Sequence, residues 1–440
     1  MHILSLSTLV LASILSVMAQ QDRPPDLLSE AGIFVDMCSQ VLADDLVPYS
    51  VNSPLWSDGT VKTRFIRLPA GTEVEFWERD HWVFPGGTLL VKNFYLDLVV
   101  GDPATRHIVE TRFLVKRQTD ETWDGYSYQW NEAGTDAVLL ADSSSVMYVI
   151  EDPQDEVGFF LQTYYFPSAD NCRSCHTRGA GFVLGLHTDQ MNRIEAGGQN
   201  QLARFAPLFA GDTDLDYSSM PRLPDPADLE ESVRDRARSY LHANCAQCHR
   251  PGSIGRTSID LRYDTPLAQT QTVDVFPTLG DMGASNPRIV APGDPDNSTL
   301  YLRMLTLGAF RMPALATSIV DVQGAGLVRR WILGLAPPTV VADNLTEPTS
   351  STLEPNFPNP FNSSTNLSYH LQQSGTVHLA IYSSVGRLVR TLVEDRMPAG
   401  WHHVQWDGLN AQGLPAASGL YISRLETESL RQVRKMVMIK

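Results

Sequence analysis

The sequence predicts a multi-domain chain: a β-rich N-terminal domain, a mainly α region holding two copies of the pattern Cys-x-x-Cys-His, and a small C-terminal β-sandwich. Three observations carry this. Over residues 22–165, runs such as TEVEFW, TLLVKNFYLDLVV and HIVETRFLVKR place β-branched and aromatic residues between PGG, GDP and DG turns. From Asp225 the apolar residues recur at helical spacing. After Leu335 a Pro/Thr/Ser-rich stretch leads into short alternating runs such as TVHLAIY and GLYISRLE.

Residues 1–19 read as an export signal. LSTLVLASILSV falls short of the ~20 apolar residues a membrane span needs, and V-M-A ahead of Gln20 supplies the small residues of a cleavage site. The segment before it carries His2 but no Lys or Arg, and no later segment is apolar enough to span a membrane. In the β-rich domain, 22–165, five of the eight tryptophans (Trp56, Trp77, Trp82, Trp123, Trp130) read as core fillers in preference to a binding face. In the region 166–335, Asp228 is the expected cap of a helix whose Val233, Ala237, Tyr240 and Leu241 form one face leading to Cys245. A second helix is expected at Val322–Leu335, with Leu327, Val328, Trp331, Ile332 and Leu335 as its stripe. Residues 336–352 form a linker and 353–440 the sandwich. The net charge of −16 sits ahead of the tail, since residues 1–347 carry 26 Lys and Arg against 44 Asp and Glu. That balance argues against a nucleic-acid partner.

The chemistry lies in NCRSCH (Asn171–His176) and NCAQCH (Asn244–His249), which use four of the five cysteines. Two cysteines three apart can form a redox disulfide, hold zinc with further ligands, or bind the two vinyl groups of a haem. The adjacent histidine separates these options. A thioredoxin-like site needs no His there and expects a βαβ setting, and zinc would need the two pairs to meet at one ion. With both thioethers made, the residue after the second Cys reaches the haem iron. The expected cofactors are two covalently bound c-type haems, on Cys172/Cys175 with His176 and on Cys245/Cys248 with His249, in keeping with export. Cys38 is left without a partner and reads as an idle or buried thiol.

For the second iron the sixth ligand expected is Met312, in FRMPALATSIVD, held in a loop by Pro313; the bland alternative is a core methionine filling a gap. The first iron has no such clear ligand. His187, Met191 and Met220 are candidates, each as readily a packing residue, and the position stays open. His242, one turn before Cys245, reads as a haem-edge or surface residue.

From Leu28 to about Gly334 the chain resembles a family of exported bacterial di-haem c-type cytochromes. The resemblance rests on VPYSVNSPLWSDGTVKTRFIRLPAGTEVEF, FPGGTLLVKNF, FPSADNCRSCHTRGAGFVLGL, ARSYLHANCAQCHRPG, IVAPGDPDNS and RMPALATSIVD, in the family's order. It implies a cytochrome c region with attachment at Cys172, Cys175, Cys245 and Cys248, and axial His176, His249 and Met312. Related cytochromes accompany sugar or alcohol dehydrogenases, which makes such enzymes candidate redox partners. The tail, with PNFPNPFNSSTNLSYHL, VHLAIYSSVGRLVRTLV, ASGLYISRLE and RKMVMIK, resembles the sorting domain of the type IX secretion system. That likeness implies an immunoglobulin-like fold, handling by the type IX machinery, and passage through the periplasm to the cell surface or beyond.

The leading expectation is therefore electron transfer between partners, with no bond chemistry on the protein. The rival is a di-haem peroxidase-like enzyme with an open first haem. A third reading makes the β-rich domain a docking or carbohydrate-binding module. No Ser/His/Asp order, phosphate loop or paired-carboxylate setting rises above chance.

Overall fold

Alternation in the β-rich region builds an antiparallel meander, and that sheet is the frame for everything that follows. The computed structural model describes residues 23–153, 157–211, 215–253, 255, 258–315, 317–335, 351–356, 359–361, 364–428 and 430–439. The export signal expected at 1–19, and the linker expected at 336–352 up to residue 350, lie outside them. Two compact units divide the chain, residues 1–336 and 337–440.

In the first unit a short hairpin, β1 (Phe34–Asp36) and β2 (Val41–Leu42), precedes the meander of β3 (Val47–Tyr49), β4 (Val61–Arg67), β5 (Leu89–Asp97), β6 (Arg106–Lys116), β7 (Trp123–Trp130) and β8 (Ala137–Leu139), paired in that order. A second hairpin follows, β9 (Ser144–Glu151) with β10 (Phe159–Phe166). Both faces of the meander are covered, which is why β5 reads as a nearly continuous apolar run. On one face Val91 and Phe113 pack with Leu28, Ile33, Tyr128 and Trp130. On the other, Ile66, Leu90 and Trp123 pack with Val183, Leu186, Leu202, Phe205 and Phe209 from beyond the first motif. The segment carrying the motifs thus shares a core with the sheet.

Trp82, Trp123 and Trp130 are buried as expected of core fillers. Trp77 is exposed and Trp56 half-buried, so the core reading holds for three of the five.

The expectation of a mainly α region is corrected. Residues 166–335 hold α1 (Ala169–Cys175), α2 (Thr188–Met191), α3 (Gln201–Phe205), α4 (Val233–Cys245), α5 (Thr299–Leu305) and α6 (Val322–Gly334), of which only α4 and α6 exceed seven residues. Beyond the end of β10, the rest of the described residues there form short 3-10 helices, such as Arg178–Ala180 and Pro295–Asn297, turns, isolated bridges and irregular backbone. Proline and glycine in segments such as LPDPAD and APGDPDNS stop helices from propagating. The cap of α4 is Ser232, not Asp228: the Ser232 hydroxyl accepts from the Asp235 N–H at 3.0 Å and donates to the Asp235 carboxylate at 2.7 Å. Asp228 instead accepts from the Glu230 N–H at 3.0 Å in a turn. Ala237, Tyr240 and Leu241 are buried on α4 as the spacing predicts, whereas Val233 is exposed. They meet Leu327, Val328, Trp331 and Ile332 of α6 in one core.

The second unit is a sandwich of a three-stranded sheet, β11 (Thr352–Leu353), β12 (Thr365–Leu371) and β15 (Gly400–Trp406), and a four-stranded one, β14 (Leu388–Met397), β13 (Gly375–Ser383), β16 (Gly419–Glu426) and β17 (Arg431–Met438). Leu367, Tyr369, Val377, Leu379, Trp406 and Leu425 fill its centre. Among the described residues no helix is long and apolar enough to cross a membrane.

Trp331 is 2% exposed at the α4–α6 contact. Trp331→Ala is predicted to destabilise the first unit by about 3–5 kcal/mol. Urea unfolding checks this, and a loss below about 1 kcal/mol would show that the contact is not a core.

Candidate functional site

The first motif is fastened to the sheet before it does any chemistry. Ser168 caps α1 by accepting from the Asn171 N–H at 3.3 Å, and the Asn171 side-chain oxygen accepts from the Ser168 N–H at 3.0 Å and the Tyr165 hydroxyl at 2.7 Å. This reciprocal cap ties α1 to the end of β10. The helix then lays Cys172 on Gly125 of β7: a Cβ at 125 would stand 2.5 Å from the Cys172 Cβ and 2.8 Å from its sulfur. Only glycine leaves that room.

His176 ends the helix, its N–H bonded to the Cys172 carbonyl at 2.9 Å. Its Nδ1 lies 2.5 Å from the Phe182 carbonyl. A carbonyl can only accept, so Nδ1 carries the proton and Nε2 keeps its lone pair, the arrangement a metal-binding imidazole needs. Burial pushes the His176 pKa down to about 4, which holds the ring neutral.

The second motif leaves the last turn of α4. The Cys248 and His249 N–H groups both bond the Cys245 carbonyl, at 3.1 and 2.9 Å. Asn244 accepts from the Trp56 N–H at 2.7 Å and donates to the Tyr240 carbonyl at 3.0 Å, so the loop after β3 is clamped to the motif. A Cβ on Gly255 would collide with the Cys248 carbonyl, which closes the loop behind His249. Burial lowers the His249 pKa, with Arg303 adding to it. The asparagine that opens both motifs therefore has a fastening role in each.

The two motifs meet. The Cys248 thiol reaches the Ser174 carbonyl at 3.6 Å, the Thr177 and Ser253 hydroxyls are 3.3 Å apart, and a Cβ on Gly179 would strike the Gly252 carbonyl. All four motif cysteines, His176, His249 and Met312 line one cavity of about 700 Å³, a size typical of cofactor and small-molecule sites. Three of the four thiols are held protonated, while the hydrogen bond from Cys175 lowers the pKa of Cys248. Burial raises Cys172 and pushes Cys245 up to about 12, and a hydrogen bond with Cys248 raises Cys175. Thiolate is the reactive and zinc-binding form, and among the described residues no three His, Cys, Asp or Glu side chains converge to hold a bare metal ion.

The structure brings Met312 to this cavity but none of the three candidates for the first iron. His187 is engaged through Nδ1 with Asp189 and through Nε2 with the Leu184 carbonyl at 3.1 Å. Met191 is fully buried, its sulfur accepting from Gln201 at 3.5 Å, and Met220 packs against the same core. His242 is half-buried and off the cavity wall, and its Nδ1 accepts from the Tyr263 N–H at 3.0 Å. Cys38 is exposed and forms no disulfide. The sequence reading missed Trp56, Met304 and the cations Arg64, Lys92 and Arg112, all on the cavity wall. Their shared face follows from strand register, Arg64 opposite Lys92 and Lys92 opposite Arg112.

Among family models, that of the FlgD Ig-like domain matches residues 360–429, in the tail. No curated protein matches. Among solved structures, dimeric latent PorU from Porphyromonas gingivalis is 22% identical and covers 22% of this chain and 10% of its own, with a TM-score of 0.18. FlgD from P. aeruginosa is 18% identical over 22% of this chain and 74% of its own, with a TM-score of 0.16. PorZ, an essential surface component of the type IX secretion system of P. gingivalis, is 18% identical over 24% of this chain and 13% of its own, with a TM-score of 0.16. The chain thus spans about a tenth of PorU and PorZ. These findings correct two expectations. The likeness of Leu28–Gly334 to di-haem c-type cytochromes does not stand as a family assignment, because the matching family model lies in the tail and is of another kind. The tail itself matches the FlgD Ig-like domain, not a sorting-domain family, and its immunoglobulin-like fold is retained.

His242 generates a pH prediction. Burial lowers its pKa to about 4, against about 6.5 for a free histidine. The unfolded chain therefore takes up the proton first as pH falls, and stability contributed by neutral His242 is present above about pH 6.5 and lost towards pH 4. Urea midpoints at pH 7 and pH 4.5 should differ less in His242→Asn than in the wild type; equal drops would contradict the assignment.

Proposed function

We propose that the protein is an exported electron carrier with two covalently bound haems, on Cys172/Cys175 with His176 and on Cys245/Cys248 with His249. The observation that carries this reading is that both Cys-x-x-Cys-His motifs line one cavity, the first with its imidazole held neutral. The residues fit the group: two cysteines and one histidine per motif, with Met312 on the same wall. A bound haem supplies a one-electron Fe(III)/Fe(II) couple at each motif. The chain's part is to fix His176 through Phe182, to seat Cys172 on Gly125, and to exclude water with Leu90, Val183 and Leu261. The two motifs touch, the Cys248 thiol reaching the Ser174 carbonyl.

The peroxidase-like reading is kept by one observation: His187, Met191 and Met220 are absent from the cavity wall, which leaves the first iron without any of the ligands proposed for it. For the tail we propose handling by the type IX machinery, with the periplasm as transit and the surface or medium as destination, and redox proteins such as a sugar or alcohol dehydrogenase as partners there. A chain ending at residue 336 is then predicted to be retained in the periplasm; export of that chain at the wild-type level would remove the tail from the account.

Visible spectra of the matured protein, oxidised, reduced, and reduced under carbon monoxide, test the main reading. Two low-spin haems with little carbon monoxide response are predicted. One high-spin haem that binds carbon monoxide would favour the enzyme. Cys248→Ser should weaken covalent retention at the second motif alone, and Met312→Ala should turn that haem partly high-spin; an unchanged spectrum would remove Met312 as ligand.

A further inference from the structure

One rung of the meander carries three cations side by side. Arg64 of β4 pairs with Lys92 of β5, and Lys92 with Arg112 of β6. All three line the cavity. Arg112 is already neutralised: two bonds of 2.8 Å join it to Glu110, which is fully buried and also accepts from the Tyr164 hydroxyl at 2.6 Å. Lys62, next along β4, donates to the Thr60 carbonyl at 2.9 Å and feels Asp58 and Asp321. Arg193, whose charge also reaches Arg64, donates to the Val51 carbonyl at 2.7 Å.

Arg64 and Lys92 have no such relief. Among the described residues neither has an ion pair or a hydrogen-bond acceptor, although Arg64 is only 9% exposed. Around Arg64 stand the Tyr49 hydroxyl, kept neutral by burial, and the Arg193 cation; Lys92 lies 5.5 Å from the centre of the Phe94 ring and feels Glu110, which Arg112 already engages, against the cations Arg64, Arg112 and Lys62. Burial, with Arg193, lowers the pKa of Arg64, and burial, with Arg64, Arg112 and Lys62, lowers that of Lys92 strongly. Like charges directly opposed on neighbouring strands are destabilising, and an uncompensated buried ion costs several kcal/mol. The ordinary remedy is an apolar residue, which is what β4 and β5 use at the adjoining Ile66 and Leu90. Two unpaired cations kept at a cavity wall call for an anion inside the cavity.

We propose that Arg64 and Lys92 form a carboxylate-binding wall and that its anion is the pair of propionate groups of a haem held in this cavity. This rests on the haem reading above. Two carboxylates match two unpaired cations in number and sign. The wall lies on the same sheet face as Gly125, where Cys172 is seated, and runs away from it: Arg112 pairs with Ser127, two residues along β7, and Arg64 is two strands further. At ~4.8 Å per strand, that sets Arg64 about three strand spacings from the cysteine end, towards the opposite side of the cavity. The competing use of Lys92, as a neutral amine on iron, would leave Arg64 unbalanced.

The test uses the sign of a stability change. Arg64→Gln/Lys92→Gln, and Lys92→Gln alone should the double variant fail to fold, are made in the full chain. Each is prepared with and without haem maturation. In the unloaded chain, relief of repulsion should raise the urea midpoint. In the matured chain, loss of the propionate partners should lower the midpoint and shift the reduction potential of one haem downward, with both haems still covalently attached by mass. A change of the same sign in both preparations, or none in either, overturns the proposal. So does a low-spin to high-spin conversion in Lys92→Gln, which would make Lys92 an iron ligand. A wild-type chain that gains no haem mass on maturation sinks the haem reading and this proposal together, whereas normal loading with the wrong sign sinks this proposal alone.

Discussion

The contact on which the site depends is the seating of two motif loops against each other and against the sheet. Cys172 rests on Gly125, the Cys248 thiol on the Ser174 carbonyl, and the backbone at Gly179 on that at Gly252. None of these is strong alone. A sulfur–carbonyl contact and a few glycine approaches are worth little in energy, but they are steric, and sterics do not relax with temperature or salt. A side chain at Gly125 would strike Cys172, and one at Gly179 would strike the Gly252 carbonyl, so either would push a motif loop out of its seat.

Burial then sets the protonation states. The same desolvation keeps His176 neutral, raises Cys172 and Cys245, and lowers Lys92. Neutral imidazoles and thiols tolerate an apolar cavity. Cations do not, so the lysine and arginine on its wall are the residues most out of place by packing logic alone. Residues that break a local rule without compensation inside the chain mark where something outside it is meant to bind.

The sequence was legible where chemistry is local. Alternation in TLLVKNFYLDLVV and HIVETRFLVKR foretold β5 and β6, and the stripe from Leu327 to Ile332 foretold α6. The Cys-x-x-Cys-His spacing identified residues that prove to share one wall. Long-range facts were not legible. That Asn171 and Asn244 fasten their motifs to Tyr165 and Trp56, or that Arg64, Lys92 and Arg112 share a rung, follows from strand register, which no single segment encodes. His187 was a reasonable ligand by proximity in sequence, yet Asp189 and the Leu184 carbonyl claim both its nitrogens. The helical reading of 166–335 failed because two amphipathic helices were extended to a region whose prolines and glycines hold it in turns. Likeness of segments to di-haem cytochromes added a family that the family model matching residues 360–429 does not bear out; the haem proposal is argued from the motifs and their cavity alone.

The central claim is that both motifs carry covalent haem at once. The most direct measurement is the intact mass of the denatured protein, after maturation with its haem-attachment machinery, followed by peptide mapping. A gain of two haems, one on the Cys172–Cys175 peptide and one on the Cys245–Cys248 peptide, is predicted. An unmodified mass, with all five cysteines still titrating as free thiols, would contradict the account.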